Sequence, residues 1–297
     1  MTRLKTYAQL LRLPNVFTAL ADIFLGWLAV SAQGPMVLWG TLALLLLASA
    51  CLYCAGMVLN DYFDVEQDTR ERPHRPIPSG RVSSKTAGIL GALLLLVGVS
   101  AAALVNEAAF QIATLLTGGI LAYDGYMKRT WLGPFFMGGC RFLNVLLACS
   151  ASSAFPAGWM FHLAAIVGIY IVGVTLFART EAVTSKQAVL WIAVGIMALT
   201  IPLALVLPLV WWGPSDRWEG VIYPLALLGW ALALAVPLRR ALTRPEPAWV
   251  QAAVKRCIFG LIVLDAVLAL GVYGGGGLLI VLLILPAIVL GRYVYST

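Results

Sequence analysis

The residues best suited to chemistry in this 297-residue chain stand close together, in the stretch "VLNDYFDVEQDTRERPHRPIPSGR" at 58–81. Asp61, Asp64 and Asp68 are spaced i, i+3, i+7, positions that share one face of an α-helix. If the apolar run before them stays helical past Leu59, the three carboxylates converge at its end, with Asn60 just ahead of them and Glu66 pointing elsewhere. Carboxylates on one stripe repel each other unless a cation neutralises them. Hard oxygen donors around an open position suit Mg²⁺, which binds through a few carboxylates plus the phosphates of its substrate. Arg70, Arg72, Arg75 and Arg81 follow at once, and guanidinium forks match phosphate oxygens. Acids for a metal beside arginines for phosphate point to a metal-bound diphosphate. The bland alternative is a solvated loop whose charges pair with one another.

The elements that must position this stretch are apolar. Hydrophobic residues make up 61% of the chain and charged residues 11%, against about 25% charged in an ordinary soluble domain. The composition is that of a polytopic membrane protein and leaves too little polar sequence for a soluble domain. A transmembrane helix needs about 20 mostly apolar residues, and candidate spans lie at 14–32, 36–59, 86–105, 110–126, 134–154, 159–178, 188–209, 221–238, 257–273 and 276–290. Only helices or closed barrels satisfy the backbone in lipid, and no alternating strand pattern of a barrel is present. With these spans, every Lys and Arg except Arg141 and Arg217 falls on one side. That bias expects both termini and the Asp-rich loop in the cytoplasm of a cell (inner) membrane. It also accounts for the net charge of +7 through topology and lipid headgroups, with no nucleic-acid partner. A basic start running into a full-length span is unlike a cleavable signal peptide. The basic stretch 239–256, with Pro245 and Pro247, is the best linker candidate in what otherwise reads as a single domain over 1–297.

The remaining polar residues divide unevenly. Cys51 and Cys54 form a CxxC inside an apolar helix with no second pair, so packing explains them better than zinc or redox chemistry. His74 and His162 are not at metal-ligand spacing. Arg141 and Asn144 sit inside a span, on a shared face. An arginine in that setting marks a functional site by default, here contact with a diphosphate or a polar acceptor; pairing with Asp22 or Asp124 is the alternative. Asp265 has no assigned partner.

The chain resembles the UbiA-type intramembrane prenyltransferases. Their first aspartate-rich motif is Asn-Asp-x-x-Asp-x-x-x-Asp with a trailing Arg-Pro-Ile-Pro-x-Gly, matched here by Asn60, Asp61, Asp64, Asp68, Arg75, Pro76, Ile77, Pro78 and Gly80. "LLRLPNVFTALADIFLGWLA" is similar to the family's first span and "YDGYMKRT" to its tyrosine-and-lysine element. The resemblance covers roughly residues 12–264. It implies an all-α fold of nine to ten transmembrane helices around a central cavity open to lipid. It implies Mg²⁺-dependent transfer of a prenyl group from a prenyl diphosphate to a lipophilic or aromatic acceptor. Asp61, Asp64 and Asp68 would hold the metal; Arg72, Arg75, Lys128 and Arg141 would hold the diphosphate. Arg12, Asn15, Asn60, Tyr123 and Asn144 would contact substrate, Arg12 and Asn15 from the entrance. Tyr53, Tyr62, Phe63 and Tyr123 are candidate aromatic faces for the allylic cation.

The pattern departs from the family at one place. Where a second aspartate-rich motif usually follows the sixth span, this chain reads "LFARTEAVTSKQAV". Glu181 is the only acid there, flanked by Arg179 and Lys186. Three expectations follow: one Mg²⁺ instead of two, neutralisation of the diphosphate by Arg179 and Lys186, or loss of transfer with binding or movement of a polyprenyl phosphate or lipophilic metabolite retained. A CDP-alcohol phosphotransferase fits less well, because "DGYMKR" lacks the Ala-Arg of that signature.

Overall fold

The computed structural model describes residues 3–33, 38–179, 184–211 and 219–295, and every regular element among them is helical. A short α1 (Arg3–Leu10) leads into α2 (Leu13–Gln33). Next come α3 (Trp39–Phe63), the short α4 (Val65–Glu71), α5 (Ser84–Ala103) and α6 (Glu107–Gly125). Then follow α7 (Gly133–Cys149), α8 (Gly158–Ala178), α9 (Gln187–Ala198) and α10 (Thr200–Trp211). The chain closes with α11 (Glu219–Thr243), α12 (Pro247–Tyr273), a 3₁₀ stretch (Gly275–Leu283) and α13 (Ile284–Tyr295).

Eight described helical stretches are long and apolar enough to cross a membrane. The nine to ten crossings expected from the sequence are therefore not all reached by length and composition alone. The shortfall lies at α6, which carries Glu107, Gln111 and Asp124 within its 19 residues, and at α7, which is apolar but has 17 residues. Large apolar side chains such as Leu96, Leu209, Leu232 and Val289 remain on the outer surface, as a lipid-facing wall requires.

Neighbouring helices close a ring: α2 packs on α3, α3 on α5, α5 on α6, α6 on α7, α7 on α8, α8 on α12, and α12 back on α2. Between helices already solvated by lipid tails, association relies on close packing of small residues and on interhelical hydrogen bonds. Both appear here. A Cβ added to Gly138 of α7 would lie 2.5 Å from Val172 Cγ2 and 2.6 Å from the carbonyl oxygen of Gly168 on α8, so only glycine permits that approach. Tyr170 donates its hydroxyl to the carbonyl of Cys257 at 2.8 Å, tying α8 to α12. Trp230 Nε1 donates to the carbonyl of Gly260 at 2.8 Å, tying α11 to α12. The Ser83 hydroxyl accepts from the Thr86 N–H at 3.0 Å and starts α5; such a cap contributes about 1 kcal/mol.

Candidate active site

The Asp-rich stretch does not form one straight stripe. The helix bends at Asp64, whose φ −97°, ψ 10° ends α3, although its N–H still bonds the carbonyl of Asn60 at 3.1 Å. The bend divides the expected triad. Asp61 and Asp68, each 3% exposed, face one way and share a single donor: Arg75 Nη1 lies 3.1 Å from Asp61 Oδ1 and 2.6 Å from Asp68 Oδ2. Asp64 faces another, with Lys128 Nζ at 2.6 Å and Arg129 Nη2 at 3.4 Å. Among the described residues no three acid, histidine or cysteine side chains gather as a metal cluster. The convergence of all three carboxylates is thus corrected to a pair plus one.

The RPIPSG segment explains why Arg75 reaches both acids. Ile77 and Val82 are buried with Leu10, Val58 and Ala87 in a small core of their own. Around that anchor the chain turns through backbone bonds from Ser79 N–H to the carbonyl of Arg75 and from Gly80 N–H to that of Ile77, both 3.0 Å. Gly80 takes φ +73°, a left-handed conformation that costs glycine little. Arg81 locks the loop outward, donating to the carbonyl of His74 at 2.5 Å and to Gln9 Oε1 at 3.0 Å. Arg12 is held in a second unusual conformation, φ +47°, where a non-glycine residue is strained. That backbone sits at the turn between α1 and α2 and aims Arg12 Nη2 at Asp61 Oδ1 (3.0 Å) and Asn60 Oδ1 (3.4 Å). Asn60 in turn donates to Asp124 Oδ1 at 2.9 Å.

Two cavities adjoin this cluster. The first has about 70 Å³ of open space between α2, α3, α6 and α7; Tyr53, Met57, Ile120, Tyr123, Asp124, Arg141 and Asn144 are among its lining residues. The second, of about 450 Å³, opens beside Asp64 and is lined by Gln67, Tyr123, Lys128, Arg129, Thr175 and Arg179. Tyr123 belongs to both walls. With three cations against one carboxylate, the second cavity is suited to an anion.

The other expected site residues fall in several places. Arg141 is engaged with Asp22 (Nη1 to Oδ2, 3.0 Å) and the Thr18 hydroxyl (2.7 Å), which is the pairing given as the alternative to diphosphate contact. Asn144 joins the same buried network, donating to Asp22 Oδ2 at 2.8 Å and accepting from the Ser49 hydroxyl at 2.8 Å. A charge in a membrane span persists when paired in this way. Arg141 also covers the ring of Tyr53 at 5.5 Å, so that aromatic face already holds a cation. Asp265 is buried on α12, its two carboxyl oxygens without a hydrogen-bond donor among the described residues. Arg72 closes α4 through its backbone N–H to Asp68 O, and Asn15 bonds the Arg12 carbonyl through its own N–H at 2.9 Å. Neither side chain is tied to the carboxylates among the described residues. Lys186 is exposed at the start of α9 and does not line the cavity that Arg179 lines. Glu181 lies outside the described residues.

Sequence reasoning missed Asp124 and Arg129 as members of the cluster. Their signal was adjacency: each follows a residue already singled out, Tyr123 and Lys128.

The UbiA prenyltransferase family matches residues 19–258. The chain is 38% identical over 127 residues, 43% of this chain and 44% of the other, to a digeranylgeranylglyceryl phosphate synthase of Saccharolobus solfataricus. The matched stretch thus spans about half the length of such curated relatives. The fold is similar to the apo structure of a UbiA homolog from Aeropyrum pernix K1, with TM-score 0.70, 18% identity, 85% of this chain and 96% of that one. It is also similar to a UbiA homolog from Archaeoglobus fulgidus bound to DMAPP and Mg²⁺, with TM-score 0.66, 14% identity, 86% of this chain and 99% of that one.

Proposed function

Because the chain belongs to the UbiA prenyltransferase family, we propose that it is an intramembrane enzyme that transfers a prenyl group from a Mg²⁺-bound prenyl diphosphate to a lipophilic acceptor. The observation that carries this reading is the pair of buried carboxylates on one shared donor. Asp61 and Asp68 meet at Arg75 Nη1, where a cation already stands between two hard oxygen donors. That donor set fits Mg²⁺ bound through two carboxylates and completed by phosphate oxygens. When bound, the metal supplies positive charge against the diphosphate as it departs. UbiA homologs from Archaeoglobus fulgidus of similar fold are bound to DMAPP or GPP together with Mg²⁺.

The rest of the proposal concerns the chain's own side chains. Lys128, Arg129 and Arg179 line the anion-sized cavity beside Asp64. They hold the diphosphate and stabilise the negative charge that develops on it as the allylic C–O bond breaks. Arg179 does so in the stretch where the sequence resemblance leads one to expect a second acidic motif. Arg12 and Asn60 keep Asp61 oriented, and Asp124 orients Asn60. Among the aromatics, Tyr123 is the one placed for the prenyl cation, since it stands on both cavity walls while Tyr53 is capped by Arg141. Tyr62 and Phe63 instead pack edge to face at 5.4 Å on the exposed side of α3. Carbon-lined walls around the inner cavity exclude water, which would otherwise capture the cation. The Lys and Arg bias supports a cytoplasmic position for both termini and this site.

The test is conversion of a labelled prenyl diphosphate by purified full-length protein with Mg²⁺ and a membrane lipid extract. Label moving into a neutral or lipid product in wild type and not in Asp68→Asn supports transfer. A second reading is favoured by the cation-rich 179–186 region: a relative that binds a polyprenyl phosphate without transferring it. Stoichiometric retention of unchanged labelled diphosphate, with no product, would select it.

A further inference from the structure

The basic stretch 239–256 lies outside the residues assigned above to prenyl transfer. It holds Arg239, Arg240, Arg244, Lys255 and Arg256 against a single acid, Glu246. The structure folds it into the end of one helix, a short turn and the start of the next. This end of the bundle is also the end that carries the site. Ser185, which follows α8 by a few residues, donates its N–H to the carbonyl of Pro245 at 2.9 Å, and Arg179 at the end of α8 lines the cavity beside Asp64.

Two stripes face each other across the junction. Ala233, Val236, Pro237 and Arg240 run along α11 at i, i+3, i+4 and i+7; Trp249, Ala252 and Arg256 run along α12 at i, i+3 and i+7. They line a separate cavity of about 330 Å³. Both guanidiniums are exposed, and neither has an ion-pair partner among the described residues. Among the described residues no carboxylate lines the cavity. Trp249 forms part of its wall, with the Arg244 guanidinium 5.9 Å from the centre of its ring. Along α11 the apolar side chains Leu225, Leu228, Leu232 and Val236 are all more than half exposed. They continue the groove from the arginines along the outer, lipid-facing surface.

We propose that this groove is a binding site for an anionic membrane lipid, its phosphate held between Arg240 and Arg256 and an acyl chain lying along the exposed face of α11. A topology signal requires only that the charges be on the correct side. Here two guanidiniums without an ion-pair partner among the described residues converge on one concavity beside a tryptophan, the arrangement by which basic pockets between membrane helices take lipid headgroups. Guanidinium forks match phosphate oxygens, and the apolar track beyond them favours a lipid over a free anion. The site does not depend on the prenyltransferase reading.

The test measures binding of phosphatidylglycerol and phosphatidylcholine with identical acyl chains to delipidated full-length protein in detergent, by native mass spectrometry. Arg240→Gln/Arg256→Gln is compared with the equally charged Arg239→Gln/Lys255→Gln, whose residues lie outside the cavity. The expected result is selective retention of phosphatidylglycerol, weakened about 30-fold by the first pair, which is about 1 kcal/mol for each arginine, and less than 3-fold by the second. Equal weakening by both pairs would show diffuse charge and overturn the proposal. So would equal retention of phosphatidylcholine, or full competition by inorganic phosphate at the same concentration, which would indicate a soluble anion. Melting of both variants at the wild-type temperature confirms that they are folded; if the first pair melts early, Arg240→Lys/Arg256→Lys, which keeps the charge, must restore retention or the proposal fails.

Discussion

Arg75→Ala tests the heart of the site, because it empties the position between two buried carboxylates. Asp61 and Asp68 have side chains only 4% exposed, so water does little to screen them. Stripping the partner from a buried charge costs about 3–5 kcal/mol. The lower figure applies, because Asp61 keeps Arg12 at 3.0 Å and only Asp68 loses the single partner it has among the described residues. About 3 kcal/mol corresponds to a fall of about 6–12 °C in the thermal midpoint. Arg72→Ala is the control: its side chain is not tied to the carboxylates, so the change should stay within about 0.5 kcal/mol. If the vacated position is where Mg²⁺ binds, the ion must stabilise Arg75→Ala by about 2.7 kcal/mol when present at 100 times its dissociation constant for that variant, and must stabilise wild type, where Arg75 competes for the carboxylates, by less. Differential scanning fluorimetry of the detergent-purified protein across a Mg²⁺ series, with Ca²⁺ and K⁺ as comparisons, reads both effects. Equal midpoints for Arg75→Ala and Arg72→Ala would refute the buried-pair reasoning. Equal Mg²⁺ stabilisation of wild type and Arg75→Ala would refute the assignment of the metal to Asp61 and Asp68.

Other expectations follow from the same contacts. Lys128→Ala removes a cation from the anion cavity while Asp64 keeps Arg129, so turnover should fall about 10²–10³-fold with the thermal midpoint nearly unchanged, as steady-state kinetics and a melt would show together. Arg141→Ala strands Asp22 inside the bundle and should cost about 3–5 kcal/mol of stability, yet leave the Mg²⁺ dependence of the remaining activity where it was. Gly138→Ala drives a Cβ into the α8 backbone and should destabilise by about 1–3 kcal/mol, visible as a lower melting temperature.

What the sequence made legible was local. The spacing of Asp61, Asp64 and Asp68 marked the buried ion-pair cluster, the apolar runs located the helices, and the RPIPSG turn marked the loop beside it. The division of the three carboxylates was not legible, because i, i+3, i+7 spacing places them together only on an unbroken helix, and the chain bends at Asp64 itself. Which acid Arg75 meets depends on how Ile77 and Val82 anchor the loop against Leu10 and Val58, a contact between segments far apart in sequence. Arg141 shows the same limit. A lone arginine in a span needs a partner, and the sequence offered Asp22 and Asp124 equally. Packing of α7 on α2 brings Asp22 to it, while Asp124 is taken by Asn60.

The most direct measurement is release of inorganic diphosphate from geranyl diphosphate and longer prenyl diphosphates by the purified protein, in the presence of membrane lipid acceptors, with and without Mg²⁺. The account predicts release that requires Mg²⁺, is matched by labelled prenyl product, and disappears in Asp61→Asn and Asp68→Asn. Tight binding of the prenyl diphosphates with no diphosphate released at any chain length would contradict it.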